Sequence, residues 1–192
     1  MTTLDAALPR GAALDRPAPG ATVWLTGLPS AGKTTLATAV AARLTDHRHE
    51  LLDGDEVREL LSRGLGFSRE DRDTNVLRIG WVAATIARHG VLVLASVISP
   101  YAETRNAVRA LHQRTGARFL EVHVAAPVEV CSDRDVKGLY ARQAAGDLTG
   151  LTGVDAPYEP PATPELRVLT HLQSLDESVA SVLALLDAAG LL

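Results

Sequence analysis

The chain has 192 residues, 46% of them apolar and 22% charged, with a formal net charge of −4 at pH 7. It is long enough for a substantial core and is most simply one domain, and its weakly acidic balance excludes a broad basic surface for nucleic acid. The longest largely apolar run, Val91–Ile98, broken only by Ser96, is too short to cross a bilayer, and the single cysteine, Cys131, excludes an internal disulfide and fits a reducing cytoplasm.

Residues 1–20 are rich in Ala, Pro and Gly, carry Arg10 and Arg16, and lack the apolar stretch of a signal peptide. They read as a loose arm ahead of one domain over 21–192. A short apolar strand, Thr22–Thr26, leads into Gly27–Thr34, GLPSAGKT. This is the pattern of glycine, four residues, then Gly-Lys-Thr, whose backbone N–H groups cradle phosphate. Gly27 and Gly32 allow the tight path, Lys33 reaches the β/γ-phosphates, and the Thr34 hydroxyl can ligate Mg²⁺. The helix predicted over Gly32–Thr45 turns its positive end toward the anion. Strand before and helix after meet the context the motif requires, so the loop points to a nucleoside triphosphate.

The alternation continues with strands over Glu50–Leu52, Val91–Val97, Arg118–Val124 and Leu166–Leu169. Helices are predicted over Glu56–Leu61, Arg69–His89, Tyr101–Gln113, Val128–Arg134 and Ser174–Ala188. Strands separated by helices predict an α/β fold, a parallel sheet covered on both faces with right-handed crossovers. Val91–Ala95 is a continuous apolar run, as expected of a central strand. Two segments interrupt the pattern. Arg63–Ser68 is a glycine-punctuated loop. Val136–Thr163 is rich in Gly, Pro and Asp and holds two of the chain's three tyrosines; with Arg134 at its root it reads as a lid over about 134–163.

Sites in open α/β sheets form at the carboxyl ends of strands. The second strand ends in Asp53-Gly54-Asp55. Asp55 suits a general base or a ligand to Mg²⁺ through water; alternatively it caps the helix opening at Glu56. Asp53 is open between structure and site. Arg58 lies on the same helical face as Asp55, and Arg72 and Asn75 repeat that spacing on the next helix. Arginine suits bidentate contact with a second anion and Asn a hydroxyl or base edge, while solvated surface positions are the plain alternative. Phe67, in a loop, either stacks on a purine ring or anchors the loop. Of 19 basic residues only Lys33 and Lys137 are lysines, which marks Lys137 as a second phosphate contact or a leftover of composition. The six histidines lack metal-ligand spacing and read as surface or packing residues.

The chain resembles the adenylylsulfate kinase family. The pieces that carry the resemblance are GLPSAGKTTLA (Gly27–Ala37), LLDGDEVR (Leu51–Arg58), LGFSREDRDTNVLRIG (Leu65–Gly80), ISPYAETR (Ile98–Arg105), EVHV (Glu121–Val124), RDVKGLYAR (Arg134–Arg142) and LTGVDAPYEPP (Leu151–Pro161). They run in family order from Ala21 to about Thr170. The resemblance implies a three-layer P-loop NTPase-type fold with a five-stranded parallel sheet, and a homodimer. It implies phosphorylation of the 3′-hydroxyl of adenylylsulfate by ATP with Mg²⁺. Gly27 to Thr35, Ser30 and Ala31 included, would hold the ATP phosphates, and Arg134 would lie over the ATP adenine. Asp55 would act on the 3′-hydroxyl, and Lys137 would assist the transferring phosphate. Arg58, Phe67, Arg72 and Asn75 would grip adenylylsulfate, Phe67 stacking on its adenine. Ile98 and Ser99 match the site wall, Ser99 also matching a serine that some relatives phosphorylate.

Four departures accompany the match. Pro29-Ser30-Ala31 replaces a commoner serine/glycine filling, Val136 stands where proline is usual, and Trp81 where glutamate is common. Leu151 replaces a frequent phenylalanine that would close over the second adenine. They leave two alternatives open: a kinase on the same scaffold with another hydroxyl acceptor, and an idle nucleotide-binding subunit, against which Lys33, Thr34, Asp55 and Lys137 argue.

Overall fold

The computed structural model describes residues 18–192; most of the expected N-terminal arm therefore lies outside the described residues. Five strands, β1 (Ala21–Thr26), β2 (His49–Asp53), β3 (Leu92–Ser96), β4 (Arg118–Val124) and β5 (Leu166–Val168), form one parallel sheet in the order β2-β3-β1-β4-β5. Between them run α1 (Lys33–Ala41), α2 (Gly54–Leu61), α3 (Arg69–Ala87), α4 (Ala102–Thr115), α5 (Val128–Arg134) and α6 (Leu139–Ala144), with α7 (Leu175–Ala188) closing the chain.

The period-2 alternation of each strand divides the core in two. Val23, Leu25, Leu94, Leu120 and Val122 point toward α1 and α7 and pack with Leu36, Val40, Val182 and Leu186. Trp24, Ala95, Val97 and Phe119 point the other way, to Val76 and Ile79 of α3 and Val108 of α4. This is the three-layer α/β architecture that the sequence predicts. β1 is central and buried at all six positions, so the loop leaving it starts from the most rigid part of the sheet.

The element boundaries follow the predicted ones closely, with two informative differences. α1 ends at Ala41, before the predicted Thr45, because Arg43 and Leu44 donate to Val40 and Ala41 in tighter turns. The expected lid segment is anchored to the fold at a few points and is otherwise mostly exposed. It contains α6, held at its start by Asp135, whose carboxylate accepts the N–H groups of Tyr140 and Ala141. Tyr140 is buried and donates its hydroxyl to the Pro29 carbonyl at 3.1 Å, and Leu151 and Thr152 are buried as well. Val136 and Lys137, between α5 and α6, stay exposed. The histidines behave as packing or surface groups. His112 is buried between Thr22 and Val108, burial drives His123 down to about 4, and among the described residues no cluster of metal-ligating side chains occurs.

Candidate active site

The loop Gly27–Gly32 leaves β1 and turns into α1. Gly27 has no room for a side chain, since a Cβ there would lie 2.4 Å from the Val124 carbonyl oxygen. Gly32 begins α1 with φ of 100°, a left-handed conformation that favours glycine. Lys33 follows as the first residue of α1. It is buried, and its Nζ donates to the carbonyls of Gly27 and Leu28 at 3.0 and 2.7 Å. Burial pulls its pKa down to about 8, with the Asp55 charge opposing in part. An anion in the loop would offset the loss of hydration that burial imposes on the Lys33 charge.

Asp55 does not cap α2. It is Asp53 that caps α2, its Oδ1 accepting from the Asp55 N–H at 2.9 Å while its Oδ2 accepts the Thr34 hydroxyl at 2.7 Å. The Asp55 carboxylate is thereby released from capping and instead faces Lys137 in an exposed ion pair. Thr34, Asp53 and Asp55 present hard oxygens beside the phosphate loop. Mg²⁺ is bound by one or two such groups together with phosphate oxygens and waters, so this donor set fits that ion without a dedicated protein cage.

A cavity of about 600 Å³ opens from the loop toward α2 and α3. Ser30, Gly32, Lys33, Thr34 and Thr35 line one end, with Asp55 and Lys137 beside them. Arg58, Phe67, Arg72 and Asn75 line the other, closed by Ile98 and Ser99. Phe67 is exposed, with the guanidinium carbons of Arg58 and Arg72 at 4.5 and 5.5 Å from its ring centre. Arg58 donates to the carbonyls of Leu65 and Gly66. Arg72 donates to Phe67, Gly150 and the Thr152 hydroxyl at 2.9, 2.6 and 2.8 Å. The Oδ1 of buried Asn75 has no protein partner among the described residues, so an acceptor atom is available to a ligand donor.

Four expected site residues stand elsewhere or act differently. Arg134 is outside this cavity, against the other side of the loop, donating to Ala31 and to the Thr170 carbonyl at 3.3 and 2.7 Å. Ala31, within the loop, is buried and does not line the cavity. Leu151, expected over the acceptor's adenine, is only 5% exposed and packs in the core with Leu28 and Tyr140; aliphatic and well placed for burial, it does not line the cavity. Ser99, expected as a phosphorylation site, is 1% exposed, and its Oγ accepts from the Trp24 indole at 3.0 Å. Its hydroxyl belongs to a buried network and its backbone, at φ of 41°, to the cavity wall.

One group was missed from sequence. Arg105, 3% exposed on α4, donates to Glu121 at 2.6 Å and to the carbonyls of Ser99 and Glu159, both at 2.8 Å. It ties the cavity wall to β4 and to the segment before β5. The signal was Glu121 itself: a carboxylate inside the apolar strand Phe119–Val124 requires a buried cation.

The model of the family described as adenylylsulphate kinase matches residues 19–169. The chain belongs to the adenylylsulphate kinase family. Within it, the chain is 53% identical over 165 residues to a probable adenylyl-sulfate kinase of Synechocystis, covering 85% of this chain and 91% of that one. It is similar in structure to the Mycobacterium tuberculosis APS kinase CysC in complex with AMPPNP and APS. The TM-score is 0.85 at 42% identity, covering 89% of this chain and 99% of the other. A hexameric APS kinase from Thiobacillus denitrificans is 40% identical with a TM-score of 0.68, covering 92% of this chain and 30% of that one.

Proposed function

We propose that the chain is an adenylylsulfate kinase that transfers the γ-phosphoryl group of ATP, with Mg²⁺, to the 3′-hydroxyl of adenylylsulfate in sulfate activation. One observation carries the reading: a single cavity joins the phosphate loop, an uncapped carboxylate and an aromatic ring flanked by two arginines. The first suits a triphosphate, the last an adenine with acidic substituents.

Chemistry follows from the positions. The acceptor hydroxyl oxygen attacks the γ-phosphorus in line, the bond to the β–γ bridging oxygen breaks, and ADP departs. Asp55 orients that hydroxyl and takes its proton. Lys33 leaves its loop carbonyls for the β/γ-phosphates, and Lys137 leaves Asp55 for the transferring oxygens, where positive charge stabilises the transition state. Bound Mg²⁺ would be held at Thr34 with Asp53 and Asp55 nearby, and supplies further positive charge on the phosphates. Arg134, on the far side of the phosphate loop from this cavity, would cover the ATP adenine, and Arg58, Phe67, Arg72, Asn75 and the Ile98–Ser99 wall would receive the acceptor.

The reading includes a cytoplasmic homodimer built from one kinase domain per chain. The departure at Leu151 gives little support to a different acceptor, because that side chain is in the core. Turnover with ATP, Mg²⁺ and adenylylsulfate, with adenylate as control acceptor, tests the proposal. Asp55→Ala is expected to lower kcat by ~10²-fold or more while ATP still binds; near-normal turnover in that variant removes Asp55 from its role, and no 3′-phosphorylated product from the wild-type protein removes the function.

A further inference from the structure

β3 ends at Ser96, a residue without a role in the chemistry above. Its side chain faces the α1 layer, because Leu92 and Leu94 on the same alternation pack in that core. In register it lies between Asp53 of β2 and Leu25 of β1, and aligned residues of neighbouring strands share a face of the sheet. The close approach of the Asp53–Asp55 turn reinforces the placement: a Cβ on Gly54 would lie 2.8 Å from the Ser96 carbonyl oxygen. Ser96 thus stands at the carboxyl edge of the sheet, beside the aspartate that accepts the Thr34 hydroxyl.

Ser96 is 6% exposed and lines the catalytic cavity, yet its Oγ has no hydrogen-bond partner among the described residues. A buried hydroxyl left unpaired is unfavourable, and in a functional cavity it marks the place of a ligand or an ordered water. Of the two such atoms lining this cavity, Asn75 Oδ1 belongs to the acceptor end and Ser96 Oγ to the phosphate end. Mg²⁺ bound to phosphates keeps several waters, and those waters need polar partners on the protein.

We infer that Ser96 Oγ is a binding group for the hydrated Mg²⁺ of MgATP, hydrogen-bonding a water of the ion's shell beside Thr34 and Asp53. The inference rests on the reading of the chain as an Mg²⁺-dependent ATP kinase. Calorimetric titration with ATP in chelator, with ATP plus Mg²⁺, and with adenylylsulfate, on the wild type and Ser96→Ala, tests it together with thermal unfolding of the free protein. Ser96→Ala is expected to bind metal-free ATP and adenylylsulfate as the wild type does, and to lose ~10-fold of the affinity that Mg²⁺ adds, as outer-shell partners of a metal do. The free variant should melt no lower than the wild type, since the removed hydroxyl had no partner to lose. A lower melting temperature with the Mg²⁺ increment intact would make Ser96 a structural group. Weakened adenylylsulfate binding with that increment intact would make it an acceptor ligand. Either result overturns the inference alone, whereas a wild-type protein to which Mg²⁺ adds no ATP affinity overturns the kinase reading with it.

Discussion

Lys33 illustrates how a single side chain is held ready by its surroundings. Buried among loop carbonyls, it has a pKa of about 8 instead of 10.5. The shift is downward for a base, so its burial cost is fully present below about 8 and is relieved as pH rises from there toward 10.5. Under the proposed function, a triphosphate bound in the loop would favour the ammonium. ATP binding near pH 8 should therefore take up about half a proton per site, and less at pH 7, where Lys33 is already charged. Titration calorimetry in buffers of different ionisation heat measures this; uptake that does not increase from pH 7 to pH 8 would show that Lys33 is not the group being charged. The same scale explains why Asp55 could not be assigned from sequence alone. Asp53 and Asp55 are one glycine apart, and either could have capped α2. The cap fell to Asp53, the residue preceding the helix, which left the second carboxylate available.

At the scale of elements, the helices are positioned by their ends as much as by their faces. α7 starts with a capping box, the Ser174 hydroxyl accepting from the Glu177 N–H at 3.2 Å while the Glu177 carboxylate accepts from the Ser174 N–H at 2.8 Å. Its Val179, Val182 and Leu186 then join the core on the α1 side of the sheet, where α7 packs against α1 and β5. Ser174→Ala should cost about 1 kcal/mol and, in a chain of this size, lower Tm by roughly 2–4 °C. Because α7 lines no part of the cavity proposed for catalysis, kcat and KM should be unchanged; thermal melts and steady-state kinetics on one preparation decide both points. α6 is the element that sequence patterning did not reveal. It is short, begins at a glycine in the left-handed region, and depends on Asp135 for its start and on Pro29 for its packing. Such a helix has too little apolar periodicity to detect, and Gly, Pro and Asp around it read as loop.

Across the whole molecule, Arg105 is the connection between distant segments. Its partners Ser99, Glu121 and Glu159 lie on the cavity wall, on β4 and ahead of β5. Arg109 extends the set by pairing with Glu165 at 2.6 Å and with Glu121 at 3.5 Å. Removing one member of a buried pair leaves the other charge uncompensated, so Arg105→Met should cost about 3–5 kcal/mol in urea unfolding, and the double variant Arg105→Met, Glu121→Met less than that. Arg43–Asp176, with side chains 60% and 88% exposed, should contribute under about 1 kcal/mol by the same measurement. Equal losses at the two pairs would contradict the assignment of Arg105 as a buried tie.

The residues that act through contiguous spacing were legible in the sequence. The phosphate loop, the alternation of strands and helices, the helical neighbours Arg58, Arg72 and Asn75, and the isolated Lys137 all follow from local pattern, and these residues do line one cavity. What the tertiary structure alone decided depends on partners far apart in the chain. Leu151 went into the core beside Leu28, Ser99 was enclosed by Trp24 and Thr26, and Arg105 found Glu121. Burial and counter-charge arise only when separate segments pack together, and no local spacing encodes them.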